Sequence, residues 1–209
     1  MSFAPEVVTY GGEDIRSACL LGDLPLVVLL WGMARSSPNN NIDLWNPDEY
    51  GNSLFHFAAI STNGLQVLHF LLQQSNNTSN NNVMNIYINA RNSAGETPFM
   101  RAAAVGSIVN CAFFINTGHI HSNEPADNGC TALMYANRLG HLWTCHYIAC
   151  TLTPDELVVS DNDGKNALSH ACSSSHYALV RYFLYYKEKS LVLRLLHAQD
   201  KQVKTIPLH

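Results

Sequence analysis

Apolar residues fall in short paired stripes along the chain, separated by polar turns. The stretch Asn89–Gly118 shows the pattern most clearly. Gly95 marks a turn. Thr97-Pro98 then predicts a helix start, with a hydroxyl residue at the N-cap and proline at the first helical position, where its missing N–H costs nothing. Phe99, Ala102 and Ala103 give that helix a narrow apolar face, and Gly106 breaks it. Ile108, Val109, Ala112, Phe113 and Phe114 form a second stripe at helical spacing, and Gly118 suits a left-handed helix end. Two short helices cannot bury both stripes between themselves, so the unit predicts neighbours of the same build.

Those neighbours are present. Turn glycines at 51, 95, 129 and 164 are spaced 44, 34 and 35 residues apart. The run Asp48-Glu49-Tyr50-Gly51-Asn52-Ser53-Leu54-Phe55-His56-Phe57-Ala58-Ala59 repeats the plan. So do Gly95-Glu96-Thr97-Pro98-Phe99, then Gly129-Cys130-Thr131-Ala132-Leu133 leading to Gly140-His141, and Asp161 to Gly164 followed by Ala167-Leu168 and Ala171. A weaker copy runs from Ile15 to Asp23. These motifs resemble the ankyrin-repeat family, whose period is about 33 residues. The resemblance implies an all-α solenoid of stacked helix-turn-helix units with short β-hairpin-like turns. One array then occupies 1–209, with repeats at about 11–35, 48–74, 89–118, 126–150 and 159–187. Two Asn-rich insertions, 36–47 and 75–87, are expected to be mobile loops, and the second explains the 44-residue spacing. Thr153-Pro154 predicts an extra helical turn before the last repeat. Leu191, Val192, Leu195 and Leu196 predict a capping helix at about 188–199. Thr205-Ile206-Pro207-Leu208-His209 is similar to the opening of a further repeat, as in a fragment of a longer protein or a decayed tail.

Composition narrows the function. Apolar residues make up 47% of the chain and charged residues 13%, against a usual charged share of about 25%. The net charge of −4 gives no reason to expect a nucleic-acid partner. The segment from Lys187 onward carries +3 and everything before it −7. The start of the chain shows neither the basic nor the apolar region of a signal peptide, and the apolar run Leu24 to Met33 is too short for a membrane span. The Asn76-Asn77-Thr78 acceptor pattern carries little weight without such a signal. Cys19, Cys111, Cys145, Cys150 and Cys172 fall in repeat columns and read as small core residues. They suit a reducing compartment, so the cytoplasm is expected, with the nucleus also open.

No catalytic constellation stands out, and neither an enzyme nor a cofactor is expected. Gly164-Lys165-Asn166 lacks the rest of a phosphate-binding loop, and Asp161-Asn162-Asp163-Gly164 lacks the glutamate that completes a calcium loop. His141 and Cys145, one helical turn apart, could begin a zinc site. His141, however, occupies the family's Gly-His column and Cys145 an apolar stripe, so structural use is expected and no metal is assigned. Trp31 reads as core, Trp45 as folded back from the first insertion, and Trp143 as outward-facing.

The resemblance further implies a concave groove lined by turn tips and first-helix positions. The tips are Glu49, Tyr50, Asn52, Ser93, Glu96, Asn128, Asn162, Asp163 and Lys165; the helix positions are Phe57, Arg101, Tyr135, Arg138 and His170. From these, Tyr50, Phe57, Glu96, Arg101, Tyr135, Arg138, Asp163, Lys165 and His170 are the expected contacts with a partner protein, Phe57 being equally suited to packing between helices. The implied function is a monomeric scaffold or adaptor. The alternative is the targeting or substrate-recruiting region of a larger kinase or membrane palmitoyltransferase. The family's histidine survives only at His56, with Met100, Met134 and Ser169 in its place elsewhere, and Ser53 and Asn166 replace threonine. A weaker array is therefore expected, its first two repeats unfolding before the rest.

Overall fold

In a computed structural model, residues 12–36, 44–76, 83–120, 122–186 and 189–196 are described. Among them the chain forms thirteen helices and no strand. Five antiparallel pairs succeed one another: α1 (Gly12–Leu21) with α2 (Leu24–Ser36), α3 (Leu54–Ile60) with α4 (Gly64–Asn76), then, after a short α5 (Val83–Ile88), α6 (Pro98–Ala104) with α7 (Ile108–Thr117), α8 (Ala132–Arg138) with α9 (Leu142–Ala149), and, after α10 (Pro154–Leu157), α11 (Ala167–Ser173) with α12 (Tyr177–Tyr186); α13 (Lys189–Leu196) follows. First helices pack in the order α1, α3, α6, α8, α11, and second helices α2, α4, α7 and α9 form a layer behind them.

The local rules seen in the sequence act as expected. Thr97 caps α6 by accepting from the Met100 amide at 3.3 Å, with Pro98 at the first turn. Gly118 ends α7 in the left-handed region at φ 68°. Thr153 and Glu156 form a reciprocal cap on α10. The core is the line of small and aromatic side chains between the layers, with Phe55, Ala58, Ala102, Ala103, Phe114, Ala136 and Ile148 fully buried.

The tips are hairpin-like without strand pairing. In each, the first residue's amide donates to the carbonyl four residues on, and the glycine amide donates back: Asn92 to Glu96 at 3.0 Å and Gly95 to Asn92 at 2.8 Å, for example. Successive tips are joined by backbone bonds, Ser93 to Tyr50 at 2.8 Å, Asp127 to Ala94 at 3.2 Å and Asn162 to Asn128 at 3.1 Å. Gly129 shows why glycine is needed here. It sits at φ 82°, and a Cβ on it would lie 2.6 Å from the Asn162 amide nitrogen of the next tip.

Two features depart from expectation. The second insertion is not all loop: α5 lies within it, Ile88 is fully buried, and Tyr87 stacks on Trp45 with ring centroids 5.1 Å apart. Residues 37–43 and 77–82 of the two insertions, the entry segment to residue 11 and the tail from 197 lie outside the described residues. Cys150 and Cys172 are exposed rather than core. The Cys172 column is buried wherever a similar pair follows, at Cys19, Ala59, Ala103 and Asn137, but α11 is followed by α12 and α13 instead. On α13, Leu191, Val192 and Leu195 are buried, and Asn166 Nδ2 donates to the Leu195 carbonyl at 2.7 Å.

Candidate functional site

The bonded tips and the first helices place most of the expected contact residues along one side of the stack. Glu49, Tyr50, Ser93, Asn128, Asn162 and Asp163 are exposed, Tyr50 at 64%, while Asn52 and Lys165 are half-buried. Asn52 accepts from Asn92 Nδ2 at 3.0 Å, a side-chain bond running parallel to the backbone ladder. Half-buried Phe57 packs on the core margin and lines an open recess of about 500 Å³ with Arg16, Ser17, Asp48 and Glu49. Arg16 closes one wall of that region by donating to the carbonyls of Asn46 and Pro47, each at 3.2 Å.

At the centre of the stack, Glu96 and Arg101 form an ion pair at 3.3 Å. Arg138 is exposed, its guanidinium 5.0 Å above the Tyr135 ring. Tyr135 itself is not available to a partner: it is only 4% exposed, and its hydroxyl accepts from Asn128 Nδ2 at 3.2 Å. Burial is the main reason its phenol is pushed up to about 12. The neighbouring pairs close over the ring, leaving Arg138 as the exposed half of the Tyr135–Arg138 stack.

His170 also departs from its expected role. It is buried, and its Nε2 donates to Asp161 Oδ2 at 2.7 Å. Burial alone would raise the Asp161 carboxyl. Hydrogen bonds from the Lys165 amide, the His170 ring and the Asp163 amide outweigh it and hold the group below its ordinary value. Cys130, on the preceding tip, donates its thiol to the same Oδ2 at 3.6 Å and lies 3.9 Å from His170 Nε2. This trio is not legible as a cluster in the sequence, because its members are separated by 31 and 40 positions across two repeats. The available signal was a cysteine next to one turn glycine, at the register of an aspartate-opened turn in the following repeat. The trio is no nucleophilic triad. Cys130 and Asp161 share one ring nitrogen of the imidazole, and burial together with Asp161 pushes the thiol up to about 11.

The α9 histidine and cysteine do not pair. His141 Nε2 donates to the Ala104 carbonyl at 2.9 Å, tying two repeats, and Cys145 is fully buried. His176 does for Arg138's carbonyl what His141 does for Ala104's, at 3.0 Å. On the second-helix layer, Trp143 is 70% exposed beside a recess of about 460 Å³ between α9 and α12, lined also by Leu142, His146, Ala178, Arg181 and Tyr182.

No helix among the described residues is long and apolar enough to cross a membrane. No curated protein matches the sequence. Residues 55–156 match the ankyrin-repeat family in three copies, and the pairs α1/α2 and α11/α12 extend the same architecture beyond that span. With its turn glycines, its stacked helix pairs and its tip-to-tip ladder all in this register, the chain belongs to the ankyrin-repeat family.

Proposed function

We propose that this protein is an adaptor that captures a partner protein on the side formed by its tips and first helices. Ankyrin repeats are in general protein-interaction modules rather than catalytic ones, and the finer reading rests on one observation. Along this side, side chains that the stack does not need for its own bonding remain exposed in line: Glu49 and Tyr50 on one tip, Arg138 over the Tyr135 ring, and Asp163 on the last tip. Tyr and Arg at such positions combine large contact area with directional hydrogen bonding, which suits them to carry binding energy. The alternation of carboxylates and guanidinium groups favours a partner segment bearing both signs of charge.

The test is capture of partners by the wild type and by two variants. Tyr50→Ala/Arg138→Ala removes two exposed groups of this side, and Trp143→Ala removes the exposed indole of the other layer. The reading expects loss of the captured partner in the first variant and retention in the second. Loss with Trp143→Ala and retention with Tyr50→Ala/Arg138→Ala would move the interaction to the second-helix layer.

A further inference from the structure

Cys130, Asp161 and His170 are 4%, 9% and 7% exposed, and their Sγ, Oδ2 and Nε2 atoms converge between two successive repeats. The three edges of the triangle are 3.6 Å for Sγ–Oδ2, 3.9 Å for Sγ–Nε2 and 2.7 Å for Nε2–Oδ2. A zinc ion held tetrahedrally at ordinary Zn–S, Zn–N and Zn–O lengths sets edges of about 3.3–3.6 Å. The Sγ–Oδ2 edge therefore fits already, the Sγ–Nε2 edge must close by a few tenths of an ångström, and the short edge must open by roughly 0.6–0.7 Å.

The carboxylate is already aimed. Asp161 Oδ1 is held by the amides of Asp163 at 3.0 Å and Lys165 at 2.8 Å, which turns Oδ2 toward the other two donors. Such outer hydrogen bonds are what orient a ligating carboxylate. A thiolate, a carboxylate and a neutral imidazole together balance a divalent cation. The mixed sulfur, nitrogen and oxygen set selects a borderline ion over calcium or magnesium, which take oxygen ligands. Of the further charges acting on Cys130, Arg138 and Asp163 oppose each other in sign.

We propose that Cys130, Asp161 and His170 form a three-ligand zinc site, with water in the fourth position, clamping the fourth helix pair to the fifth. On binding, the Cys130 thiol proton leaves to solvent, and the imidazole's single proton moves from Nε2, where it faces Asp161, to Nδ1 so that Nε2 can ligate. Binding therefore releases one proton per zinc and tightens as pH rises.

The experiment is a cobalt and zinc titration of the full chain, followed by thiolate-to-cobalt charge-transfer absorption and by competition with zinc. The expected result is about one ion per chain with a thiolate band. Cys130→Ser should abolish the band and weaken zinc binding by more than about a hundredfold, beyond the loss typical of an outer-shell partner. Cys150 and Cys172 are the exposed thiols, and Cys150 lies 3.9 Å from His146 Nε2, so these two are the competing source. The Cys150→Ser/Cys172→Ser variant should keep the band in full. Far-ultraviolet circular dichroism checks the fold of each variant. Absence of zinc binding by the wild type, or loss of the band in the Cys150→Ser/Cys172→Ser variant, would overturn the site and leave the trio as a hydrogen-bonded tie.

Discussion

Polar bonds join the second helix pair to the third as they join the later pairs, but the first two pairs add a tryptophan-centred aromatic cluster that the last three lack. In the N-terminal part the tips at Gly51 and Gly95 are 44 residues apart, and the insertions on either side of the second repeat return aromatic rings to the core. Trp45 sits edge-on to Trp31 at 5.1 Å and stacks on Phe55 at 6.4 Å and on Tyr87 at 5.1 Å; Phe70 joins from α4, 5.7 Å from Trp31. In the C-terminal part the interval shortens to 34 and 35 residues, and polar bonds cross each junction without such a cluster beside them. His141 reaches Ala104, Thr144 reaches Gly106 at 2.8 Å, Asn162 reaches Asp127 at 2.8 Å, and His176 reaches Arg138. Longer insertions cost little in loop entropy, so an irregular repeat is tolerated where its extra residues find apolar surface to bury. Regular repeats leave no extra chain, and their junctions rely on directional bonds.

The largest effect is expected from removing the ring that links the two insertions. Trp45→Ala should cost about 3 kcal/mol, near the lower end for a large aromatic because the indole is only half-buried. Native-state hydrogen exchange would show whether that loss is local. Protection should fall in α1 to α4 and persist in α8 to α12. An equal fall across both parts would mean that the array opens as one unit and that the contrast has no energetic meaning.

A somewhat smaller effect separates the two parts by pH. His56 Nδ1 accepts from the Ser53 amide, and its Nε2 donates to the Glu96 carbonyl, each at 3.0 Å, tying the second repeat to the third tip. Burial, with Arg101 nearby, pulls the ring down to about 4, although the Glu96 carbonyl pulls the other way. The unfolded chain takes up that proton near 6.5, so between those values the unfolded state binds more protons. The stability linked to neutral His56 is complete above pH 6.5 and drains away as pH falls toward 4, by about 2–3 kcal/mol. Urea midpoints from pH 7 to 4.5 should show this slope, and His56→Gln should flatten it. An unchanged slope would assign the acid sensitivity elsewhere.

Much of this architecture was legible in the sequence because the repeat rules are local. The Thr97-Pro98 start, the Gly118 stop and the apolar pattern of α13 depend on residues a few positions apart. The face was legible only by register. Register places Tyr135 and His170 in the same column as Phe57 and Arg101, but it does not report what the next repeat lays over them. Tyr135 became a floor beneath Arg138, and His170 turned inward because Asp161 of its own tip accepts from it there, with Cys130 of the preceding tip alongside. The role of Trp45 was likewise visible only in outline, since its partners come from α2, α3 and α5.

The smallest effect concerns the break between first and second helices. In three repeats this break is a glycine in the left-handed region, Gly22 at φ 72°, Gly106 at 76° and Gly140 at 84°; in the last pair it is Ser175 at φ 59°. The backbone bond that follows is the same, His176 to Ala171 at 2.9 Å and His141 to Ala136 at 3.0 Å. What differs is the neighbour. A Cβ on Gly106 would lie 2.5 Å from the His141 ring, and one on Gly140 would lie 2.6 Å from the His176 ring. Ser175 is exposed, and α13 rather than another such pair comes after α12, so serine meets only the backbone cost of its conformation. Ser175→Gly relieves that cost, about 1 kcal/mol, and gives back part of it through a more flexible unfolded chain. The expected gain is about 0.5 kcal/mol in urea unfolding. Gly140→Ser adds the clash to the strain and should cost several times that amount. Similar small effects at both positions would show that backbone conformation alone, and not the histidine of the following repeat, decides which residue the break accepts.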